Sequence, residues 1–143
     1  MGQYHYIVNL DKREFLDPYK LGSGLKLWEQ LASHWPGVAL IPLLACSNGR
    51  GGGDLAYADD EKPNGYAQKA KAVIGRWAGD RIAIVGDYAE HEDLAEEHSA
   101  EMIYDNCNGG DWRDITDLVC DILAHELGVA FTGDGWRSVT EAK

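Results

Sequence analysis

The sequence predicts an α+β fold of one domain, residues 1–143, with a mainly antiparallel sheet built from two hairpins and two or three helices packed on it. The chain of 143 residues is long enough for one hydrophobic core without disulfides or metals. Two stretches alternate apolar with polar residues around a reversal, and other stretches carry helical spacing. Strands and helices do not alternate as in βαβ units, which favours α+β over α/β.

The first hairpin is predicted at the N-terminus. "QYHYIVNL" (3–10) alternates and is rich in aromatic and β-branched residues, which is typical of a strand. "REFLDP" (13–18) can pair back on it until Pro18 ends the strand.

Two helices are expected next. "GLKLWEQLASHW" (24–35) has helical spacing, which places Trp28 and Trp35 in the core, and Pro36-Gly37 should end this helix. "VALIPLLACS" (38–47) is short enough to be a strand or a helix, but Pro42 argues against a central strand. We expect a helix with Pro42 near its first turn.

The rest of the chain predicts a mobile loop, a second hairpin and a helix. The loop spans 49–66. In the hairpin, Val73 and Ile74 lead into a Gly79-Asp80 reversal and 82–85 lead out, with Trp77 in the core. "DITDLVCDILAHEL" (114–127) has strong amphipathic spacing, with an aspartate near its start and Gly128 at its end.

Three blocks of sequence carry a resemblance to a known group. "MGQYHYIVNLDKREFLDPYKLGSGLKLWE", "LLACSNGRGGGDL" and "IGRWAGDRIAIVGDY" cover much of residues 1–88. In these blocks the chain resembles a group of small proteins from actinobacteria and their phages. No activity is established for that group, so the resemblance implies no catalytic residues.

The charge is strongly acidic and unevenly spread. The formal net charge is −11, and thirteen of the acids lie between Asp87 and Glu126 against one base, Arg113. Such a field repels nucleic acids and anionic membranes and favours encounter with basic partners. A solubilising surface is the plainer alternative.

The glycine-rich segment "SNGRGGGD" (47–54) is the main candidate for ligand binding. A P-loop needs Lys-Ser/Thr after its glycines, and here "DLAYADDE" follows, which would repel phosphate. A loop that presents Arg50 to a partner is the better interpretation. The alternative is a small enzyme or nucleotide-binding or anion-binding module, with Arg50 on an anion and Asp54 as base or metal ligand.

The candidate metal-binding residues do not have the spacing that a metal site requires. "HELGV" (125–129) has Val129 where a zinc-binding HExxH motif needs histidine. His91 and His98 would stand about 10.5 Å apart along a helix, too far to share one metal. We therefore expect no cofactor and no metal. The three cysteines have no CxxC pair and favour buried thiols in a reducing compartment.

Trp112 lies in the polar context "GGDWRD" and suits an interface anchor, although its ring could also cover the end of the core. The sequence thus predicts a non-enzymatic acidic protein of the cytoplasm that engages a basic protein surface, with no direct binding of nucleic acid or membrane. The natural target is a nucleic-acid-binding protein or nuclease, as for DNA-mimic anti-CRISPR proteins of phages or immunity proteins. The predicted contact residues are Asp87, Glu90, Glu92, Asp93, Glu96, Glu97, Glu101, Asp105, Asp111, Trp112 and Asp114.

Overall fold

A four-stranded sheet lies at the centre of the computed structural model, which describes residues 3–46, 66–94, 99–131 and 136–138. Its strands are β1 (His5–Asn9), β2 (Glu14–Leu16), β3 (Ile82–Gly86) and β4 (Arg113–Asp114). The order is β3-β1-β2-β4; β1 is antiparallel to both neighbours, whereas β4 runs parallel to β2. The sheet is therefore mixed rather than purely antiparallel. A separate antiparallel ribbon joins β5 (Val129–Phe131) to β6 (Trp136–Ser138).

The described part of the chain has five α-helices where two or three were expected. They are α1 (Leu27–Ala32), α2 (Trp35–Leu44), α3 (Tyr66–Val73), α4 (Ala100–Asn108) and α5 (Thr116–Leu127). Short 3₁₀ turns occur at Pro18–Leu21 and His91–Asp93. The predicted α+β class is confirmed.

The two faces of the sheet bury two different cores. Tyr6 and Val8 of β1 pack with residues of α4 such as Ile103. Ile7, between them in sequence, points to the opposite face and joins a larger core with α2, α3 and α5. Because successive side chains of a strand alternate between faces, one strand serves both layers.

The first predicted hairpin is confirmed, and Asn9 closes its turn. This fully buried side chain accepts hydrogen bonds at Oδ1 from the backbone N–H groups of Asp11 (2.9 Å) and Lys12 (2.8 Å). Its Nδ2 donates to Asp80 at 2.9 Å. The asparagine thereby ties the turn to the start of β3.

The second predicted hairpin is wrong. Val73 ends helix α3, and 74–79 form turns; only 82–86 form a strand, and this strand pairs with β1. The backbone N–H groups of Gly75 and Trp77 donate to the carbonyls of Pro42 and Leu43 in α2, both at 2.9 Å. These N–H groups are therefore already bonded to the end of α2 and cannot form the hydrogen bonds of a strand pair. Trp77 is fully buried, as predicted.

The helices before residue 47 differ from the prediction in their boundaries and faces. Ser33, in extended conformation, ends α1, and Pro36 lies in the first turn of α2 instead of ending a helix. Pro42 is inside α2 rather than near its start. Trp28 is 78% exposed, whereas Gln30 is buried with its amide donating to the carbonyls of His5 and Leu25. The placement of Trp28 in the core is thus wrong.

The predicted amphipathic helix near the C-terminus is confirmed as α5. The backbone N–H of Thr116, the first residue of the helix, donates to Asp114 Oδ1 at 2.9 Å, so Asp114 satisfies one of the free donors at the helix start. Gly128 ends the helix with a φ of 63°, a left-handed conformation that favours glycine. The predicted loop at 49–66 lies outside the described residues, apart from Tyr66, which begins α3.

Candidate acidic interface and neighbouring clefts

The predicted contact carboxylates from Asp87 to Asp111 that the structure describes are all exposed. They come from the end of β3, the turn before α4, α4 itself and the segment after it. The residues are Asp87, Glu90, Glu92, Asp93, Glu101, Asp105 and Asp111. We call this set the acidic surface. Glu96, Glu97, Arg50 and Asp54 lie outside the described residues.

The 3₁₀ turn His91–Asp93 concentrates negative charge. Glu90 precedes this turn, and its backbone N–H donates to Asp93 Oδ2 at 2.8 Å, which fixes the local shape. A hydrogen bond between the carboxyl groups of Glu90 and Glu92, followed by repulsion from Glu92 and Asp93, raises the pKa of Glu90. Acidic neighbours raise the pKa of a carboxyl because they disfavour its charged form.

Tyr104 links the end of β3 to α4 within the acidic surface. Burial raises the pKa of its phenol first, and the charges of Asp87 and Asp105 raise it further. Both carboxylates therefore lie near one phenol although they belong to different elements. Asp87 is held there because its Oδ1 accepts from the backbone N–H of Tyr4 at 3.0 Å.

None of the acidic-surface carboxylates forms an ion pair within the described residues. The ion pairs found there use other acids: Lys12–Asp80, Lys20–Asp114, Lys69–Asp121, Arg76–Glu14 and Arg81–Asp11. The acidic surface thus presents its negative charge to solvent, since no lysine or arginine in the described part of the chain is paired with it.

Asp114 differs from the other predicted contact residues because it is engaged inside the fold. Its Oδ2 accepts from Lys20 Nζ at 2.7 Å, and its Oδ1 accepts from Thr116, whose hydroxyl in turn accepts from the backbone N–H of Asp17. This network joins the 3₁₀ turn Pro18–Leu21 to the start of α5. The first role of Asp114 is therefore structural.

Trp112 is half-buried at the boundary of two clefts. It packs against the core formed with α4 and lines both cavities. The first, which we call the tyrosine cleft, has a volume of about 520 Å³ and includes Tyr6, Asp17 and Lys20. The second, which we call the arginine cleft, has a volume of about 530 Å³ and includes Arg13 and Arg81. Both volumes suit a small ligand or an inserted side chain.

The tyrosine cleft contains polar groups that sequence reasoning missed. Tyr6 donates its hydroxyl to Asn108 Oδ1 at 3.2 Å and stacks on Tyr104. Burial, followed by the proximity of Tyr104, raises the pKa of Tyr6 to about 12, so the phenol keeps its proton. Burial raises the pKa of Asp17, and the negative charge of Asp114 raises it further. The segment "CNGGDWRD" (107–114) contributes to this cleft, and the sequence analysis singled out only its Asp111, Trp112 and Asp114.

The described thiols do not offer a nucleophile in the tyrosine cleft. Cys107 lines the cleft, and burial raises its pKa to about 12, as it does for the half-buried Cys120. A thiol with so high a pKa is almost entirely protonated near neutral pH. Cys46, by contrast, is exposed, which corrects the expectation that all three cysteines are buried.

This difference predicts a simple labelling result. In the native protein at about pH 8, a disulfide reagent such as DTNB should react rapidly with Cys46 and slowly with Cys107 and Cys120, because only exposed thiolates react readily. Unfolding in guanidinium should release the other two. Cys46→Ser is the control, and rapid reaction of that variant would contradict the prediction.

No group of three or more metal-binding side chains occurs among the described residues. Comparison with known proteins adds no assignment: no family model, no curated protein and no solved structure matches the chain. In the part of the chain that the structure describes, no helix is both long and apolar enough to cross a bilayer.

Proposed function

We propose that this chain is a non-enzymatic acidic binding protein of the cytoplasm, which engages a basic surface on another protein. The observation that supports the proposal most is that the described carboxylates of the acidic surface are exposed and free of ion pairs within the described residues. Unpaired exposed charge of one sign steers association with a partner of opposite sign.

The shape of the region supports a protein partner. The half-buried Trp112 lies next to Asp111 at the end of the acidic surface and borders two open clefts. An aromatic ring set beside charged residues is a frequent anchor of protein interfaces. Asp114 contributes indirectly, because it holds the segment that carries Trp112 against Lys20.

The chemistry of the partner follows from the charge. A protein surface that binds nucleic acid presents clustered arginines and lysines to the phosphates. On such a partner, the carboxylates of the acidic surface would occupy the positions of the phosphates. We therefore propose a nucleic-acid-binding protein or nuclease as the partner. The protein would act as an inhibitor or immunity protein, of which DNA-mimic anti-CRISPR proteins are one type.

The test compares three immobilised baits in a lysate of the cells that produce this protein. The bound proteins are identified by mass spectrometry. The baits are the native chain, the patch variant Glu101→Gln/Asp105→Asn and the control variant Asp117→Asn/Asp121→Asn. Both pairs are exposed acids one helical turn apart, on α4 and α5 respectively. We expect a basic protein on the native and control baits that is depleted on the patch variant. Equal capture by all three would contradict the proposal.

A further inference from the structure

The arginine cleft is lined by two arginines, in a chain whose formal net charge is −11. It lies where the β1–β2 turn, the start of β3 and helix α4 meet. Its charged and titratable lining residues are Asp11, Arg13, Arg81 and His91. Arg81 and Asp11 form an ion pair, so Arg13 supplies the unpaired positive charge among the described lining residues.

Arg13 is held in an unusual backbone conformation at the edge of this cleft. Its φ is 57°, and its backbone N–H donates to the carbonyl of Asn9 at 3.1 Å to close the turn. Left-handed backbone at such a position favours glycine or asparagine, and another residue there is a pointer to function.

The guanidinium of Arg13 is exposed and has no ion pair with any described residue. Its neighbours differ in this respect. Lys12 pairs with Asp80, and Arg81 binds Asp11 Oδ1 through Nε (3.1 Å) and Nη2 (2.9 Å). Asp11 is thereby engaged with Arg81, which leaves Arg13 available to an external anion.

The side of the cleft formed by α4 and the segment after it combines apolar and polar side chains. Met102 is 61% exposed, and the half-buried Trp112 lines the same cavity. Ser99, Met102 and Asn106 share one flank of α4 in this cleft, whereas the helical period of 3.6 residues turns Glu101 and Asp105 toward another flank. The cleft and the acidic part of α4 are thus separate surfaces.

We propose that the arginine cleft binds a small anion that carries a planar ring, of the nucleoside monophosphate class. Arg13 is the phosphate contact, and Arg81, which is paired with Asp11, lines the same cavity. Met102 and Trp112 supply the apolar wall for the ring. A volume of about 530 Å³ accommodates a molecule of this size. The proposal does not depend on the acidic surface.

Isothermal titration calorimetry tests this assignment with AMP and UMP, and with adenosine and inorganic phosphate as the separate halves of a nucleotide. We expect saturable binding of at least one nucleotide, about tenfold tighter than either half. Arg13→Gly should weaken nucleotide binding by about tenfold or more. Its urea midpoint should equal or exceed that of the native chain, because glycine suits the left-handed conformation.

The control variant is Lys69→Ala, which removes one positive charge from α3 on the other face of the sheet. It should bind nucleotide like the native chain. Absence of saturable binding of both nucleotides, or unchanged binding in Arg13→Gly, would overturn the proposal. Phosphate binding as tight as nucleotide binding would overturn the role of the apolar wall.

Discussion

Glu14→Gln is expected to lower the free energy of unfolding by about 3 kcal/mol, because it breaks a buried ion pair and leaves a cation without its partner. Glu14 is 5% exposed on β2. It accepts hydrogen bonds from Arg76 Nε at 3.0 Å and Nη2 at 2.5 Å, and from Trp77 Nε1 at 2.9 Å. Urea denaturation at neutral pH measures the change.

The same carboxylate should make stability depend on pH. Burial alone would raise the pKa of Glu14, but the hydrogen bonds from Arg76 and Trp77 outweigh it, so the pKa is lowered. A lowered folded-state pKa gives stability that is present above the unfolded value of about 4.3 and is lost as pH falls through the folded value. Glu14→Gln should therefore lose less stability than the native chain on acidification.

The matched control is Glu92→Gln, which neutralises an exposed glutamate of the acidic surface. We expect its free energy of unfolding to stay within about 0.5 kcal/mol of the native value. If Glu14→Gln also stayed within that margin, the buried pair would not be the structural link between β2 and the turn after α3.

Neutralising the acidic part of α4 is expected to weaken partner binding about tenfold. Glu101→Gln/Asp105→Asn removes two unpaired charges, and loss of such charges acts mainly on the association rate constant. Surface plasmon resonance against the basic protein captured by the native bait separates association from dissociation. Circular dichroism should show unchanged helix content, since both side chains are exposed.

Asp117→Asn/Asp121→Asn removes the same charge from α5. Asp121 pairs with Lys69 only at 3.8 Å, and both side chains are about half exposed, so little folding stability depends on it. We expect less than about a twofold change in affinity. An equal loss in both variants would mean that net charge, rather than the acidic surface, governs binding.

Local sequence patterns predicted those elements whose structure depends mainly on their own residues. Alternation predicted β1 and β2, and helical spacing with Gly128 predicted α5. The exposure of the acidic surface also follows from local composition, since charged side chains are rarely buried without partners.

Contacts between distant segments could not be predicted in this way. The sequence predicts that Val73 and Ile74 lead into a hairpin, but the backbone N–H groups of Gly75 and Trp77 donate to carbonyls of α2. In α1 the polar Gln30 is buried and its amide donates to the carbonyl of His5 in β1 and to that of the nearby Leu25, whereas Trp28 is exposed. The arginine cleft joins Arg13, Arg81 and Trp112 from three parts of the chain.

The dependence of partner affinity on salt tests the acidic-surface account most directly. Affinity for the captured partner is measured by calorimetry from about 0.05 M to about 0.5 M NaCl. Over this range the Debye length becomes about threefold shorter. We predict that Kd rises steadily with salt for the native chain, and less steeply for Glu101→Gln/Asp105→Asn. A Kd that stays constant across this range would contradict the proposal that unpaired carboxylates drive the interaction.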